Sequence, residues 1–209
     1  HALYFEKKYP YAFFSKDYQT ADPNYFAGCI IYSKYPIIDS KRISFLNGES
    51  LIYATILKGD DTIRVYTTHL ASYRFKQNDF EFHETPSNDL EVKANRSVLR
   101  KMKQAFVERA VQAEIVRAAL DQSPYPTIIT GDFNDVPSSY TYKTIKGNLQ
   151  DAFLKKGFGI GLTFMGLSPT LRIDYILADN RWEVKGWESV DENLSDHHMV
   201  FSDLLLKKN

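Results

Sequence analysis

An aspartate and an asparagine stand two residues apart where an apolar segment of the chain ends. Residues 127–130 (TIIT) are β-branched, Gly131 follows them, and Asp132 and Asn134 come next with Phe133 between them. Side chains two residues apart on an extended backbone point to the same side, so we expect Asp132 and Asn134 to face one ligand and Phe133 to enter the core. Glycine, aspartate and asparagine are also common in turns, and this segment taken alone favours a turn.

Three further segments place acidic or imidazole side chains at the ends of predicted strands or inside them. His69 ends a β-rich segment, Asp174 lies within an apolar one, and Asp196 and His197 precede the last one. Each has a structural explanation when taken alone: a histidine that ends a strand, an aspartate paired with Arg172, and an aspartate that caps a helical turn. The case for function therefore depends on the four segments together.

Asp174 suggests how these segments are connected chemically. A carboxylate in an apolar strand is costly unless it is paired, and a carboxylate that fixes the tautomer of a histidine is a recurring catalytic device. Asp132 and Asp196, if close, would repel each other by about 4 kcal/mol at ~4 Å and an effective dielectric constant of ~20. A bound cation would relieve that repulsion, and oxygen ligands of this kind suit Mg²⁺ or Mn²⁺.

The composition limits the classes of protein to be considered. The 209 residues suit one domain, and 44% of them are hydrophobic, which allows a sizeable core. Lys plus Arg equals Asp plus Glu at 26 each, which argues against bulk nucleic acid or an anionic membrane surface as the partner. The single cysteine, Cys29, excludes an intrachain disulfide and a four-cysteine zinc site. We find no signal peptide and no apolar run long enough to span a bilayer, which indicates a soluble domain of undetermined compartment.

The elements that must position these side chains alternate between strands and helices. Strand clusters separated by helices predict an α/β or α+β domain, and a hairpin turn at residues 59–61 implies antiparallel or mixed sheets. An apolar stripe predicts a long helix over residues 97–121 with Ser97 as its N-cap. The other predicted elements are strands over 28–33, 43–45, 51–57, 62–68, 127–130, 172–178, 182–190 and 199–206, and helices over 1–9 and 139–146.

Four short motifs occur in the order THL, GDFN, RIDYIL and SDHH. As an ordered set at this spacing they resemble the endonuclease/exonuclease/phosphatase superfamily, whose fold is deoxyribonuclease-I-like, over nearly the whole chain. The resemblance implies one domain over residues 1–209: a four-layer sandwich of two packed mixed β-sheets flanked by helices, with the site at one edge. It also implies a phosphohydrolase with Mg²⁺ or Mn²⁺ as cofactor, which cleaves a phosphodiester or a phosphomonoester by in-line attack of water.

The resemblance implies a catalytic role for each matching residue. Asp132 orients or deprotonates the attacking water, and Asn134 binds that water and a phosphate oxygen. His69 donates to the phosphoryl oxygens as negative charge develops on them. His197 binds the phosphate and acts in acid–base chemistry, and Asp174 fixes its orientation.

The resemblance further implies that Asp196 and Asp132 belong to a metal site, and that Arg172 binds substrate together with His69 and Asn134. The family's metal site also uses an Asn and a Glu early in the domain, and we find neither here. Because the chain begins with His rather than Met, we expect the first two strands to be missing and this chain by itself to be weak or inactive.

The motifs leave the substrate open among a phosphorylated small molecule, a lipid headgroup and a nucleic acid. The THL motif resembles the lipase, phosphatase and deadenylase branches of the family more than the abasic-endonuclease branch. The polar and aromatic segment over residues 71–96 either covers the substrate or packs as an ordinary surface loop. We expect no stable protein partner and a monomer.

A plain α/β domain with accidental motifs is disfavoured by the ordered set of four motifs, and two other classes of protein compete with this interpretation. One is a non-catalytic binding or scaffolding module of the same fold that has lost its metal ligands. An Asn and a Glu at two strand ends in the upstream sequence would favour the enzyme over this module. The other is a zinc hydrolase that uses His69, His197 and His198. Neighbouring residues on a strand face opposite ways and no HExxH motif is present, so the zinc interpretation is disfavoured.

Overall fold

The computed structural model describes residues 7–73, 89–165, 171–192 and 194–208, with side chains from residue 95 onward in the second range. Most of the predicted helix over residues 1–9 and of the segment 71–96 therefore lies outside the described residues. The strands are β1 (Tyr11–Phe14), β2 (Tyr18–Gln19), β3 (Phe26–Ala27), β4 (Ile30–Ser33), β5 (Ile37–Ser44), β6 (Ser50–Lys58), β7 (Asp61–His69), β8 (Thr127–Asp132), β9 (Gln150–Asp151), β10 (Asp174–Ala178), β11 (Trp182–Val190) and β12 (Met199–Leu206). The helices are α1 (Asp89–Asp121), α2 (Tyr140–Lys146) and α3 (Ala152–Lys156).

A six-stranded mixed sheet forms the centre of the fold, in the order β5–β6–β7–β8–β10–β9. Its strands are antiparallel to their neighbours except for β7 and β8, which are parallel. Parallel neighbours require a crossover connection, and α1 lies within this one. Three two-stranded antiparallel sheets, β1–β4, β2–β3 and β11–β12, complete the strands of the described residues.

One face of the central sheet packs against helices. Because successive side chains of a strand point to opposite faces, every second residue of β6, β7, β8 and β10 enters this layer. The buried side chains of the sheet are Leu51, Tyr66, Ile129, Tyr175 and Leu177, and those of the helices are Ala113, Val116 and Leu120 of α1 with Tyr142 and Ile145 of α2.

The other face of the central sheet packs against the short sheets. Ile52 and Ala54 of β6 form a buried cluster with Ile31 of β4. Ile176 of β10 and Val184 of β11 belong to a second buried cluster on this face. Two layers of strands thus face each other and helices cover the outer face of the larger one, so the mixed sandwich predicted from the sequence is confirmed in the part of the chain that the structure describes.

The ends of several elements differ from those predicted. The long helix begins at Asp89 rather than after a cap at Ser97, since serine is tolerated inside a helix and a cap residue alone does not fix the helix start. No strand is predicted between residues 15 and 27, where the structure has β2 and β3, because strands of two residues are too short to show alternation. Within the described ranges, no helix combines the length and the apolar character needed to cross a bilayer.

Candidate active site

Three neighbouring strands bring His69, Asp132 and Asp174 into one row. His69 is the register partner of Asp132 across the parallel pair β7–β8, and Asp174 is its partner across the antiparallel pair β8–β10. Residues directly opposite each other on adjacent strands point to the same face. This row therefore lies at the end of the central sheet, on the face that packs against the short sheets.

Gly131 permits β7 and β8 to approach closely beside this row. Its φ is 145°, and a Cβ at this position would lie 2.0 Å from the carbonyl oxygen of Thr68. Any larger residue would force the two strands apart. The close contact between β7 and β8 thus explains why the GDFN motif begins with glycine, independently of the chemistry of Asp132 and Asn134.

Asp132 and Asn134 face each other, although not by the geometry expected of a strand. β8 ends at Asp132, and Asn134 has a left-handed backbone conformation with φ of 51°. The Asn134 backbone N–H donates to Asp132 Oδ1 at 2.7 Å, and Asn134 Nδ2 donates to Asp132 Oδ2 at 3.0 Å and to the Leu70 carbonyl at 2.9 Å. Phe133 is fully buried against Tyr175, as expected. The turn expected for this segment is therefore observed, and it brings the side chains of Asp132 and Asn134 together.

His197 forms a close pair with Asp174. His197 Nδ1 lies 2.9 Å from Asp174 Oδ2, and His197 Nε2 on the opposite side of the ring lies 3.9 Å from Asp132 Oδ2. The Phe164 ring packs on the imidazole, with ring centroids 4.7 Å apart. The predicted pairing of Asp174 with an imidazole, rather than with Arg172, is the one observed.

Glu49 is a member of the site that the sequence analysis missed. Its side chain is only 12% exposed, and its Oε1 lies 3.7 Å from Nδ1 of His69, whose Nε2 lies 3.6 Å from Asp132 Oδ2. The hairpin of β6 and β7 could have indicated the position of Glu49, because its register pairs Leu51 with Thr68. Extending that register past the two strand ends brings the segment that contains Glu49 next to His69.

The pKa values of the site follow from this arrangement of charges. Burial, followed by the neighbouring charge of Asp174, raises the pKa of Asp132 to about 6. The carboxylate of Glu49 is the main cause of a raised pKa of His69, and the hydrogen bond to Asp174 is the main cause of a raised pKa of His197. Both imidazoles are thereby biased towards the protonated, cationic form that binds anionic oxygen atoms.

Arg172 lies apart from these residues. Its guanidinium is buried, and Nη1 donates to Asp151 Oδ2 at 2.7 Å, an atom that also accepts from the Tyr142 hydroxyl at the same distance. The ring of Phe153 stacks against the guanidinium at 4.6 Å. Because this arginine is 4% exposed and paired in the core, the structure corrects its sequence-based assignment as a substrate-binding residue: its position is that of a core ion pair.

The acidic residues fit a cation at Asp132 rather than at Asp196. The ligand atoms of Asp132, Asp174 and His197 lie within 4.8 Å of one another. Asp196 is exposed, accepts from the Ser195 hydroxyl at 3.3 Å and is not part of this group. The group also omits His69 and His198, so the three histidines of the zinc interpretation are not assembled in the described residues.

Comparisons with known proteins identify the family and the fold of the chain. The family model described as the endonuclease/exonuclease/phosphatase family matches residues 2–197. A comparison with curated protein sequences found no match.

Solved structures that resemble the chain include the catalytic domain of human nocturnin, determined with a bound sulfate anion, at 16% identity and a TM-score of 0.64, covering 99% of this chain and 76% of that one. The Bacteroides thetaiotaomicron mannosyl-6-phosphatase is 18% identical with a TM-score of 0.54, covering 85% of this chain and 70% of that one. Sphingomyelinase C from Streptomyces griseocarneus is 17% identical with a TM-score of 0.53, covering 95% of this chain and 75% of that one. At these identities the likeness concerns the fold.

Proposed function

The chain belongs to the endonuclease/exonuclease/phosphatase family, and we propose that it is a divalent-metal-dependent phosphoesterase that hydrolyses a phosphodiester or phosphomonoester by in-line attack of water. The observation that supports this most is the convergence of two imidazoles on one carboxylate. Nε2 of His69 and Nε2 of His197 lie 3.6 and 3.9 Å from the same oxygen, Oδ2 of Asp132. Two imidazoles of raised pKa on either side of a base suit a substrate with several anionic oxygens.

Each residue then has a role that follows from its position. Asp132 accepts a proton from the attacking water, and its raised pKa brings it closer to the range in which a general base is most effective near neutral pH. Asn134, which touches Asp132 with both its backbone and its side chain, orients the water. His69 donates to a phosphoryl oxygen. His197, oriented by Asp174, donates to the phosphate and to the leaving oxygen.

A hard divalent cation fits the donor set of this site. Two carboxylates and an imidazole converge there. Burial, followed by the charge of Asp174, raises the pKa of Asp132, and a bound cation would favour the ionised form of this carboxyl group. Asp132 would bind Mg²⁺ or Mn²⁺, and a movement of the exposed Asp196 would bring a second carboxylate to it. When bound, the ion acts as a Lewis acid and stabilises charge on the phosphoryl group.

The substrate class is a narrower part of the proposal. Structures of similar fold include proteins described as a mannosyl-6-phosphatase and a sphingomyelinase, which supports a phosphorylated small molecule or a lipid headgroup as the substrate. A nucleic acid is the third class that the motifs leave open. The formal net charge of zero favours a compact phosphorylated molecule over a long polyanion. The protein would act as a monomer.

Hydrolysis assays test the proposal directly. The chain and its Asp132→Ala variant would be incubated with bis(p-nitrophenyl) phosphate and with p-nitrophenyl phosphate in Mg²⁺, in Mn²⁺ and in EDTA. We expect turnover that is weak in this chain, needs a divalent ion and is lost in the variant, and the ratio of the two rates would indicate diester or monoester preference. If neither this chain nor a longer protein that includes the expected Asn and Glu turns over either substrate while both fold, the result would contradict the enzyme and favour the binding or scaffolding module.

A further inference from the structure

Thr163 lies between the two segments that contain the Asp174–His197 pair. It is fully buried (0% exposed). Its Oγ1 accepts hydrogen bonds from the backbone N–H groups of Ile173 at 3.0 Å and Asp174 at 3.1 Å. Its carbonyl oxygen accepts from the backbone N–H of His198 at 2.8 Å. One residue is therefore bonded to the backbone on both sides of the pair.

The segment around Thr163 is fixed on both of its edges. The backbone N–H groups of Thr163 and Phe164 both donate to the carbonyl of Leu171, at 3.0 and 3.2 Å. On the other edge, the N–H of Met165 donates to the carbonyl of Asp196 at 3.0 Å. Thr163 thus belongs to a short bridge between the start of β10 and the segment that presents His197, and its hydroxyl is the side-chain part of that bridge.

We propose that Thr163 is a positioning residue for the Asp174–His197 pair, which its hydroxyl aligns by fixing the backbone N–H groups of Ile173 and Asp174, just before and at the start of β10. The inference rests on the proposed function, in which this pair performs acid–base chemistry. Without Oγ1, two buried N–H groups would lose their acceptor, and buried donors are rarely left unpaired. The backbone of Asp174 would move to find another acceptor, and catalytic groups tolerate only small displacements.

The matched variants are Thr163→Val, which keeps the shape and removes the acceptor, and Thr163→Ser, which keeps the acceptor. We expect kcat for the phosphate ester to fall by about 10- to 100-fold in Thr163→Val, with KM nearly unchanged. Thr163→Ser should restore kcat to near the wild-type value. Thr55→Val is the control for loss of a buried hydroxyl: Thr55 is 1% exposed, accepts from Arg64 Nε at 3.0 Å and lies towards the other end of β6 from the site.

A second readout does not depend on turnover. The Nδ1 proton of His197, hydrogen-bonded to Asp174, should give a downfield proton NMR signal that His197→Gln removes. We expect this signal in the wild-type chain, in Thr163→Ser and in Thr55→Val, and its loss or upfield shift in Thr163→Val. If the wild-type chain hydrolyses no phosphate ester, this signal still decides the role of Thr163, so the inference and the proposed function can fail separately.

Two results would overturn the proposal. One is a Thr163→Val protein that keeps both kcat and the downfield signal. The other is a folded Thr163→Ser protein whose kcat or downfield signal decreases as much as in Thr163→Val. If Thr163→Val does not fold, Thr163→Cys replaces it, because its sulfur is a weaker acceptor; equal values for the serine and cysteine variants would then contradict the inference.

Discussion

At the scale of single residues, the site contains two imidazole–carboxylate pairs that share a third carboxylate. In His69 and in His197 alike, Nδ1 faces a carboxylate, Glu49 or Asp174, and Nε2 faces Oδ2 of Asp132. The distance from Nδ1 to the carboxylate oxygen differs between the two pairs: it is 3.7 Å from His69 to Glu49 and 2.9 Å from His197 to Asp174. The tighter pair is within hydrogen-bond distance and the looser one is an ion pair, so Asp174 should control the orientation of its imidazole more strictly.

Replacing Asp174 with asparagine tests this difference at the tighter pair. The amide can bond Nδ1 in the wrong tautomer and no longer stabilises the imidazolium, so we expect kcat to fall by about 10²- to 10⁴-fold in Asp174→Asn. Steady-state kinetics with the phosphate ester would measure it. Asp191→Asn is the matched control, because Asp191 lies 3.9 Å from the adjacent His198 and outside the group that converges on Asp132. An equal loss in both variants would contradict a specific role for Asp174.

Glu49 should make stability depend on pH through His69. Folding raises the pKa of His69 above its ordinary value of 6.5, chiefly through Glu49. A raised pKa favours the protonated folded form, so this contribution is fully present below the unfolded pKa and is lost as the pH rises through the folded one. The difference in unfolding free energy between wild type and Glu49→Gln should therefore be largest below the ordinary pKa and shrink at alkaline pH.

Urea unfolding of both proteins from pH 5.5 to 9 would measure that difference, as a range chosen around the ordinary histidine pKa of ~6.5. Glu183→Gln is the control, since Glu183 pairs with Lys185 at 2.7 Å on the surface and a lysine stays charged throughout this range. Its difference from wild type should not vary with pH. A Glu49→Gln difference that is equally flat would show that the carboxylate does not stabilise the imidazolium.

At the scale of elements, the ends of β7 and β8 are positioned both by each other and by α1. Arg109 of α1 is fully buried; its Nη1 donates to the Ala71 carbonyl at 2.8 Å and its Nε to Asp135 Oδ2 at 3.2 Å. Gln112 Oε1 accepts from the Ala71 N–H at 2.9 Å. One helix thus bonds to the chain just after His69 and just after the GDFN motif, which fixes the two loops relative to each other.

Gly131→Ala tests how closely β7 and β8 must approach. The added Cβ would lie 2.0 Å from the Thr68 carbonyl oxygen at a φ of 145°, and we expect the unfolding free energy to fall by about 3 kcal/mol or more from strain and overpacking together. Gly48→Ala is the matched control: its φ is 92° and no atom lies within 4 Å of the added Cβ, so only backbone strain of about 1–2 kcal/mol applies. Equal losses in urea unfolding would exclude the contact as the cause.

Parts of these elements could be predicted from the sequence, and the reasons for the failures are physical. The predicted bounds of β11 and β12 match the structure to the residue. Polar and apolar residues alternate with exposure at the start of β11, whereas β12 is largely apolar on both of its sides. The apolar stripe of α1 was correct at Ala113, Val116 and Leu120. Further along α1 towards its start, Leu99 and Phe106 are exposed whereas Arg109 and Gln112 are buried. A hydrophobic pattern cannot find a buried face made of hydrogen-bonded polar groups.

The site was predictable to a similar extent. The motifs predicted that His69, Asp132, Asn134, Asp174 and His197 lie close together, and the structure brings them together. The first four lie at the ends of β7, β8 and β10 of the central sheet, whereas His197 precedes β12 of another sheet. Glu49 and Thr163 have no motif of their own. Their positions depend on strand register and on a bridge between distant segments, which local sequence does not encode.

At the scale of the whole molecule, the fold concentrates negative charge at one edge of a sandwich that is neutral overall. Three carboxylates, Glu49, Asp132 and Asp174, surround two imidazoles at the ends of the central strands. The pKa of Asp132 is raised to about 6, mainly by burial. Above that pH the folded protein must keep an ionised carboxylate that its surroundings disfavour, so the site lowers stability in the absence of a cation.

A divalent ion should therefore stabilise the folded chain, and Asp132 should be required for it. At a free concentration of 100 times Kd, an ion that binds only the folded state adds about 2.7 kcal/mol, which corresponds to a rise of about 5–10 °C in Tm for a chain of this size. We expect this rise for Mg²⁺ or Mn²⁺ at pH 8, reversed by EDTA. In Asp132→Asn the ion should have no effect, while the metal-free Tm should equal or exceed that of wild type because the disfavoured carboxylate is gone. Asp191→Asn should respond like wild type. A metal-dependent rise that persists in Asp132→Asn would place the ion elsewhere and remove the electrostatic argument for this site.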